Sequence, residues 1–548
     1  MKTSAMILTL VGLVAVAGDT PLTRDAAISR TMKDIETRLD GHGGVLGIQQ
    51  TLKPFNEEVQ QKVVNSGDRY AAVKETFFQA GITRGNLAPI WPKKAGDDQE
   101  GVSGYEAILT LHRELQSLGV DLILVPMPAK YELYAGVFDT PVPDGVPVST
   151  ARQEMMLALS RAGVEVVDLL PTLQAALPNA EHPLYEVRGH HLSGLGTRLC
   201  GKALAERLAR YDFKDRDPAR YGFTERKSVE RADPSRPMTA YEVTRNGEPY
   251  THVTDGEVIV VGDSQAFAHF GASLASHTAR EAGIDITDLS LSSGANWIAG
   301  RLAEMGTERL RRSKAVVAIV TGAAFSRMDW ENGDFQEKPT VLGMMALGML
   351  DEAEALAAST KNPADIGIDE AYLNRAAYRM AATSQWDQAE ATFKINTRFF
   401  PNSANAWDSL AEFYARRDRK EEAQEIAVKV MGMNPEPNVR KNALATLRRV
   451  GYDTSQWDNS VSLSVEALSA FVGTYELSRD TTLDVVLKED RLWVRMEGRP
   501  DAPMTPTGAT SFETPGPNIT FKRDGEDMLM RAGTGSDIRE GKRIKPSA

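Results

Sequence analysis

Short apolar runs alternate with longer amphipathic segments along the chain from about residue 30 to residue 335. Uninterrupted apolar runs are typical of parallel strands buried on both faces, and segments of helical spacing between them predict covering helices. The predicted strands are residues 120–125, 164–167, 258–261, 284–291 and 315–320, and the predicted helices are 108–118, 152–162, 195–211 and 265–282. The alternation predicts an α/β domain over residues 25–335 on a mostly parallel sheet, with the polar stretch 213–250 as a surface excursion.

A helical repeat replaces the strand pattern between residues 340 and 452. Six residues follow the spacing of a tetratricopeptide repeat, namely Trp407, Leu410, Ala411, Tyr414, Ala423 and Pro435. A shift by one length of that repeat brings Ala389 onto Ala423 and Pro401 onto Pro435. We therefore expect tetratricopeptide-like helical hairpins with a surface that binds protein partners, and a plain helical linker is the alternative.

The last segment, residues 465–546, changes to short β-strands separated by Gly, Pro and Asp. The predicted strands are residues 471–477, 483–487, 492–496 and 519–521. Gly473-Thr474-Tyr475 followed by such strands resembles the small β domain that is often appended to serine β-lactamase-like hydrolases. We expect a small β domain here that carries no catalytic residue.

Composition places the protein among ordinary globular chains and excludes several other classes. Of its 548 residues, 42% are apolar and 25% are charged, which excludes fibrous and wholly disordered proteins. The net charge of -12 gives no electrostatic basis for binding nucleic acid. Cys200 is the only cysteine, so the sequence excludes an internal disulfide and a cysteine-rich zinc site.

The N-terminus has the pattern of a secretory signal peptide. Lys2 precedes an apolar run, residues 5–17, which ends in Ala15-Val16-Ala17 and so matches an A-x-A cleavage site. The run is shorter than the roughly 20 residues of a membrane span, although an uncleaved anchor is the alternative. We therefore expect residues 1–17 to be removed and the mature protein to be exported.

Gly262-Asp263-Ser264 lies directly after a predicted strand and before a predicted helix. A serine at such a turn exposes its hydroxyl at the carboxyl edge of the sheet, and the helix N-terminus offers N–H groups to a developing oxyanion. The same tripeptide also suits a capping turn, which is the alternative. Ser264 is our candidate nucleophile, and we expect its neighbour Asp263 to cap the helix rather than to serve as a triad acid.

A serine nucleophile needs a base, and the chain has eight histidines to supply one. His190 and His191 adjoin, so at most one of them can point into a given site, and a surface pair without a role is the alternative. His269, about one turn after Ser264, is a second candidate. His182, His190 and His191 have no carboxylate at metal-ligand spacing, so we expect neither a metal nor a cofactor.

Four sequence elements occur in a fixed order along the α/β segment. They are residues 122–130 (LILVPMPAK) followed by Tyr134, residues 164–173 with Asp168, a histidine box with Tyr185, His191, Ser193 and Gly196, and finally Ser264. This ordered set resembles the SGNH-hydrolase-like domain of the alginate O-acetyltransferase family. In that family the histidine box also precedes the serine.

The resemblance implies both a fold and a function. The fold is a flavodoxin-like parallel sheet, and the proteins of the family are periplasmic enzymes that acetylate exopolysaccharide. At the matching positions the resemblance implies Ser264 as nucleophile and His191 as base. It also implies a polysaccharide substrate and a membrane-bound O-acyltransferase as the partner that supplies the acyl group.

Two positions depart from the histidine box of the family. Gly189 stands where the box has an aspartate, and Leu192 stands where it has a tryptophan. The carboxylate of a serine triad orients the imidazole and stabilises imidazolium, and its loss can cost on the order of 10⁴ in rate. Glu186 or another carboxylate can take its place; otherwise a Ser–His dyad or an inactive, glycan-binding domain results.

Two backbone segments are expected to form the oxyanion hole. The N–H of Ser264 is one donor, and the loop after the strand 284–291 offers Gly294 and the side-chain amide of Asn296. An ordinary loop of turn residues is the alternative there.

Two functions from different classes follow from these observations. The first is an exported serine-dependent O-acyltransferase that acetylates an alginate-like exopolysaccharide through an acyl-serine, or a plain carbohydrate esterase if water accepts the acyl group. The second is a non-catalytic carbohydrate-binding and assembly scaffold of polysaccharide export. Ser264 and His191 at hydrogen-bond distance, with a carboxylate behind the histidine, would indicate the enzyme, and a separated pair would indicate the scaffold.

Overall fold

The structure is a computed structural model that describes residues 21–87, 101–230, 233–266, 271–291, 294–366, 368–382, 385–433, 435–454, 457, 463–478, 481–496, 501–514, 518–525, 527–534 and 537–546. The predicted signal peptide, His269, Ser292 and Ser293 lie outside these residues. Two compact units divide the chain. The first holds the chain up to Val59, Ala72–Leu302 and Glu308–Asp334, and the second holds Gln60–Ala71, Ala303–Thr307 and the chain from Phe335 onwards.

A five-stranded parallel sheet forms the centre of the first unit. Its strands, in spatial order, are Glu165–Val166, Asp121–Met127, Ala315–Thr321, Val258–Gly262 and Ile286–Asp288. Every neighbouring pair is parallel, and the three central strands are buried almost throughout. All five strands predicted from the apolar runs are present, and the predicted α/β fold class is confirmed.

Helices connect these strands and pack against the sheet. The helices of this part of the chain are Arg24–Asp40, Gly44–Val59, Ala80–Leu87, Gly104–Ser117, Lys130–Leu133, Thr150–Arg161, Leu170–Ala176, Gly194–Leu208, Leu274–Ala282, Ile298–Glu304 and Thr307–Leu310. Short 3₁₀ turns cover Ala135–Val137, Leu177–Asn179, Pro218–Arg220, Ser264–Ala266, Ala295–Trp297 and Gly322–Ser326. A π-helical turn covers Gln60–Val64, in the part of the chain assigned to the second unit. A two-stranded sheet of Tyr70–Val73 and Thr76–Gln79 follows it. Cys200, on helix Gly194–Leu208, is fully buried with Ile123 and Val258 of the sheet.

The polar stretch 213–250, predicted as a surface excursion, contains a β-hairpin. Strands Tyr221–Glu230 and Asp233–Arg245 pair antiparallel, and Glu248–Pro249 adds a short third strand. Four apolar residues of the second strand are buried, from both of its faces, namely Met238, Ala240, Tyr241 and Val243. Charged and polar residues dominate the first strand and both ends of the second, so the average polarity of the segment concealed the strand pattern.

The continuous helix predicted after Ser264 is wrong. The serine opens a 3₁₀ turn that ends at Ala266, and the α-helix begins only at Leu274. Between them, Gly271 has a φ of 89° and pairs with Tyr241 of the hairpin. This pairing with a distant strand interrupts the helix, so the nucleophile does not lie at the N-terminus of a long helix.

The second unit contains helical hairpins that repeat at a regular interval. Its helices are Val341–Ala346, Leu350–Ser359, Glu370–Ala382, Trp386–Phe399, Ala404–Arg416, Lys420–Gly432 and Pro437–Arg449, with a 3₁₀ turn at Pro363–Ile366. The helix pair that begins at Glu370 and Trp386 is followed, one repeat length later, by the pair that begins at Ala404 and Lys420. The predicted helical segment is therefore present, and its assignment to the tetratricopeptide type stays a prediction.

A nine-stranded antiparallel sheet follows the short helix Val465–Ser469. Its strands, in spatial order, are Ala502–Pro503, Arg491–Arg495, Thr481–Lys488, Gly473–Ser478, Asp537–Pro546, Asp527–Thr534, Asn518–Asp524, Ser511–Glu513 and Thr505–Pro506. The two outermost strands are joined through Met504, which is buried and donates its N–H to the carbonyl of Leu492. The sheet therefore curves back on itself around an aromatic core that includes Phe512 and Phe521.

No helix of the described residues combines the length and the apolar character that a membrane crossing requires.

Candidate active site

Ser264 lies at the carboxyl end of a central strand of the parallel sheet. Strand Val258–Gly262 is fully buried, and the 3₁₀ turn Ser264–Ala266 follows it after one residue. Glycine is required at position 262, because a Cβ there would lie 2.1 Å from the carbonyl oxygen of Ile319 in the neighbouring strand. The sheet thus fixes the backbone that leads into the candidate nucleophile.

The carboxylate of Asp263 holds the turn in place. One of its oxygens accepts the N–H of Gln265 at 2.9 Å, and the other accepts the N–H of Thr321 at 2.7 Å. Burial raises the pKa of Asp263, and the two N–H donors only partly offset that effect. Asp263 therefore serves the backbone of the turn, in the capping role expected for it, although the element that it caps is a 3₁₀ turn.

His191 lies in a tight loop between Leu184 and Ser193. Ser193 donates its N–H to the carbonyl of Leu184, and Glu186 donates its N–H to the carbonyl of His191, both at 2.9 Å. Glu186 and His191 therefore face each other across the loop, although four residues separate them in the sequence. The hydroxyl of Ser193 then caps helix Gly194–Leu208, which anchors the loop to a rigid element.

The three candidate side chains form a continuous chain of contacts. Nε2 of His191 lies 3.0 Å from Oγ of Ser264, and Nδ1 of His191 lies 3.4 Å from Oε2 of Glu186. The side chains of His191 and Glu186 are 15% and 14% exposed, so the site is largely desolvated but reaches the surface. This is the order of groups that a serine nucleophile with a histidine base and an orienting carboxylate requires.

Gly189 leaves the space that Glu186 fills. A Cβ at position 189 would lie 1.5 Å from Oε2 and 2.6 Å from Cδ of Glu186. The carboxylate of Glu186 therefore occupies the volume into which a side chain at position 189 would project. The structure places a carboxylate beside His191 despite the missing aspartate of the histidine box.

The environment of His191 keeps its ring neutral. Burial lowers the pKa of His191 to about 4. At neutral pH the ring therefore has one nitrogen that can accept a proton, and a base requires that nitrogen to be Nε2. Glu186 is the acceptor that holds the ring proton on the opposite nitrogen, Nδ1.

Gln265 links the turn of the nucleophile to the histidine loop, although it belongs to no recognised sequence motif. Its side-chain Nε2 donates to the carbonyl of His190 at 3.1 Å, while Asp263 accepts its backbone N–H. Gln265 thereby couples the position of Ser264 to that of His191. Its place directly after the serine is the only sequence signal that could have indicated this role.

The loop predicted to complete the oxyanion hole lies beside the nucleophile's strand, because Leu291 donates its N–H to the carbonyl of Gly262 at 2.9 Å. Its predicted donors are already engaged. The N–H of Gly294 donates to the carbonyl of Leu291 at 3.0 Å, and the amide of Asn296 donates to the carbonyl of Asp329 at 3.1 Å. The N–H of Gly294 stabilises the loop itself and the amide of Asn296 ties the loop to Asp329, so the assignment of Gly294 and Asn296 to an oxyanion hole stays a prediction.

The other two histidines considered as metal ligands, His190 and His182, make contacts of a different kind. The ring of His190 packs on that of His191, with centroids 4.0 Å apart, and Nε2 of His182 lies 3.0 Å from the hydroxyl of Thr239. In the part of the chain that the structure describes, no group of three or more His, Cys, Asp and Glu side chains is arranged to hold a metal ion.

Comparison with known proteins points to one family. Residues 93–255 match the sequence model of the family described as SGNH hydrolase-like domain, acetyltransferase AlgX. The matched stretch contains Glu186 and His191, and Ser264 follows it by nine residues. No curated protein matches the chain significantly.

Three solved structures are similar to parts of the chain at low sequence identity. The O-acetyltransferase domain of Pseudomonas putida AlgJ is 16% identical, with 47% of this chain and 92% of that chain covered and a TM-score of 0.36. Pseudomonas aeruginosa AlgX is 18% identical (41% and 58% covered, TM-score 0.31), and Bacillus cereus PatB1 with a sulfonyl adduct is 13% identical (49% and 97% covered, TM-score 0.31). The family match confirms the predicted resemblance over residues 93–255, the segment that is similar to the SGNH hydrolase-like domain of the AlgX family.

Proposed function

We propose that this protein is an exported, serine-dependent O-acyltransferase that acetylates an exopolysaccharide of the alginate type. The contact chain from Ser264 through His191 to Glu186 is the observation that carries the proposal. The match of residues 93–255 to an acetyltransferase family supports the class of reaction. The apolar N-terminal residues that end in an A-x-A pattern support export to the periplasm.

The reaction proceeds through an acyl-serine. Oγ of Ser264 attacks the carbonyl carbon of the acyl donor while Nε2 of His191 takes the hydroxyl proton. The bond from that carbon to the leaving group breaks, and the leaving group takes the proton from His191. Glu186 stabilises the imidazolium that exists between these two transfers, and the backbone N–H of Ser264 donates to the oxyanion.

The second half of the reaction regenerates the serine. A sugar hydroxyl gives its proton to His191 and attacks the acyl carbon, and the Ser264 oxygen leaves with that proton as the sugar ester forms. With water as the acceptor, the same steps describe an esterase.

The substrate and the partners follow from the family resemblance. Proteins of that family act on exopolysaccharide and receive acetyl groups from a membrane-bound O-acyltransferase, so we infer a polymer acceptor and a donor partner of that kind. The repeated helical hairpins support a role for the segment Glu370–Gly432 in binding protein partners.

The scaffold alternative predicts a serine and a histidine that have moved apart. The distance of 3.0 Å between Ser264 Oγ and His191 Nε2 supports the enzyme instead. The combination of Gly189 with Glu186 adds to this support, because it retains a carboxylate on the histidine.

The test is acetyl turnover by the purified mature protein on p-nitrophenyl acetate, with and without mannuronate oligosaccharides as acceptors. We expect release of nitrophenol and transfer of acetyl to the sugar, detected by mass spectrometry. Ser264→Ala and His191→Ala should each lose up to about 10⁶-fold in kcat. Ser276→Ala is the matched control, because Oγ of Ser276 also contacts a histidine, His252, at 3.2 Å in another part of the domain.

The outcomes separate the three functions. Acetyl release that is unaffected by the oligosaccharide would assign an esterase. Binding of the oligosaccharide without any turnover of the ester would assign the scaffold and overturn the proposal.

A further inference from the structure

We propose that Lys130 is a positioning residue for Glu186 and His191. It fixes the loop that carries both side chains, and this inference rests on the proposed function. Lys130 follows strand Asp121–Met127 in the stretch PMPAK, and it is only 6% exposed. Lysine is rarely so buried, because the ammonium loses its hydration unless protein acceptors replace the water.

Four backbone carbonyls replace that water. Nζ of Lys130 lies 2.6 Å from the carbonyl oxygen of Glu186, 2.7 Å from that of Val187 and 3.2 Å from that of Gly189. A fourth carbonyl, that of Phe77, lies at 2.7 Å. An ammonium has three N–H donors, so it shares them among these four acceptors. Three of the four acceptors belong to the loop that carries Glu186 and His191.

The cation stabilises a loop conformation that is otherwise unfavourable. Carbonyl oxygens that converge on one point repel each other, and buried carbonyls without a donor cost free energy. The same conformation turns Gly189 towards Glu186, which is how the glutamate carboxylate comes to fill the space at position 189. Lys130 therefore acts on the catalytic carboxylate and imidazole through the backbone of their loop.

A second side chain completes the support. Gln265 donates to the carbonyl of His190, so the carbonyls of residues 186, 187, 189 and 190 all bind side chains from outside the loop. Lys130 belongs to the segment after one sheet strand, and Gln265 belongs to the turn that carries Ser264. The two contacts together set the distance between the nucleophile and its base.

The test replaces Lys130 by methionine, which keeps the length of the side chain and removes its charge. We expect kcat for p-nitrophenyl acetate to fall about a hundredfold with KM nearly unchanged, because a catalytic group displaced by about 1 Å costs on that order. Amide hydrogen exchange in residues 184–193 should become faster in the folded protein. Lys130→Gln, which keeps two N–H donors, should show a smaller effect in both measurements, and it carries the test if Lys130→Met does not fold.

Arg309→Met is the matched control. Arg309 is also a buried cation, 3% exposed, and its guanidinium donates to the carbonyls of Thr254 and Gly256, which precede the amino end of strand Val258–Gly262. We expect this variant to lose stability without a change in kcat per folded molecule or in the exchange of residues 184–193.

The results distinguish the positioning role of Lys130 from the proposed enzymatic function. Unchanged exchange in residues 184–193 of both Lys130 variants would overturn the positioning role, and so would an equal loss of kcat in Arg309→Met. Faster exchange in a Lys130 variant, with a wild type that turns over no ester, would support the positioning role and overturn the proposed function.

Discussion

The carboxylate behind His191 comes from position 186, and this makes residues 186 and 189 interdependent. Oε2 of Glu186 lies 3.4 Å from Nδ1 of His191 and fills the volume that a Cβ at position 189 would need. Substitutions at two positions that share one volume and one role are strongly non-additive. An aspartate at position 189 should therefore support catalysis only when the side chain at position 186 is truncated.

Three variants test this interdependence. Glu186→Ala should lower kcat by up to about 10⁴-fold, because the imidazolium loses its carboxylate. Gly189→Asp alone should also lower kcat, since its Cβ would collide with Glu186. The double variant, E186A with G189D, should recover much of the activity of the wild type in steady-state turnover of p-nitrophenyl acetate. If the double variant lost as much kcat as the two single variants combined, residues 186 and 189 would not share one volume and one role.

The pKa of His191 determines the response of the enzyme to acid. The base must be neutral, and burial lowers the pKa of His191 to about 4 from its ordinary value of 6.5. Activity should therefore be flat around neutral pH and fall about tenfold per pH unit once the pH drops below about 4. The measurement is the pH profile of kcat/KM on protein shown to be folded by circular dichroism. An acidic limb near 6.5 would show that the histidine is hydrated in solution.

At the scale of elements, the nucleophile depends on one short 3₁₀ turn and its anchor. Asp263→Ala removes the acceptor of two backbone N–H groups, those of Gln265 and Thr321. We expect kcat to fall about a hundredfold and the free energy of unfolding to fall by about 1–3 kcal/mol for each N–H that stays buried without an acceptor. Asp263→Asn keeps one acceptor oxygen and should lose less of both. Wild-type kcat in Asp263→Ala would show that the turn needs no anchor.

The elements that could be predicted from the sequence are those with a local signal. Strands Asp121–Met127 and Ala315–Thr321 were predicted because a strand buried on both faces is apolar at every position. The helical hairpins were predicted because their alanines and prolines recur at the interval of one repeat. Ser264 and His191 were found in the same way, from residue types in a recognisable order, and the structure brings them to 3.0 Å.

The features that were missed depend on contacts between distant residues. The helix predicted after Ser264 is interrupted because Gly271 pairs with Tyr241, a residue of a strand that lies well before the serine in the sequence. Lys130 and Gln265 bind backbone carbonyls, and a carbonyl is present at every residue, so their targets have no sequence signature. The proximity of Glu186 to His191 likewise depends on a loop conformation that these contacts stabilise.

At the scale of the whole molecule, a buried ionic network joins helices of the first unit. Arg152 of helix Thr150–Arg161 contacts Glu132 at 3.0 Å and Asp168 at 2.8 Å, and Asp168 also contacts Arg38 of the first helix at 3.1 Å. Burial raises the pKa of Asp168, but Arg152 and Arg38 outweigh burial, so its pKa lies below the ordinary value. The contribution of Asp168 to this network is therefore present only while its carboxylate is ionised.

Asp168→Asn tests the contribution of this network to stability. Removing one partner of a buried ion pair typically lowers the free energy of unfolding by about 3–5 kcal/mol. We expect a loss of about 3 kcal/mol here, because Glu132 still neutralises Arg152. The measurement is urea unfolding, with Glu36→Gln as the control, because the pair of Glu36 with Arg161 is 40% and 58% exposed and should contribute less than about 1 kcal/mol. Since the folded pKa of Asp168 is lowered, its contribution is fully present above its ordinary pKa of 3.8 and is lost as the pH falls through the folded value. The stability difference between wild type and Asp168→Asn should therefore shrink in acid, whereas a difference independent of pH would assign the loss to packing and not to charge.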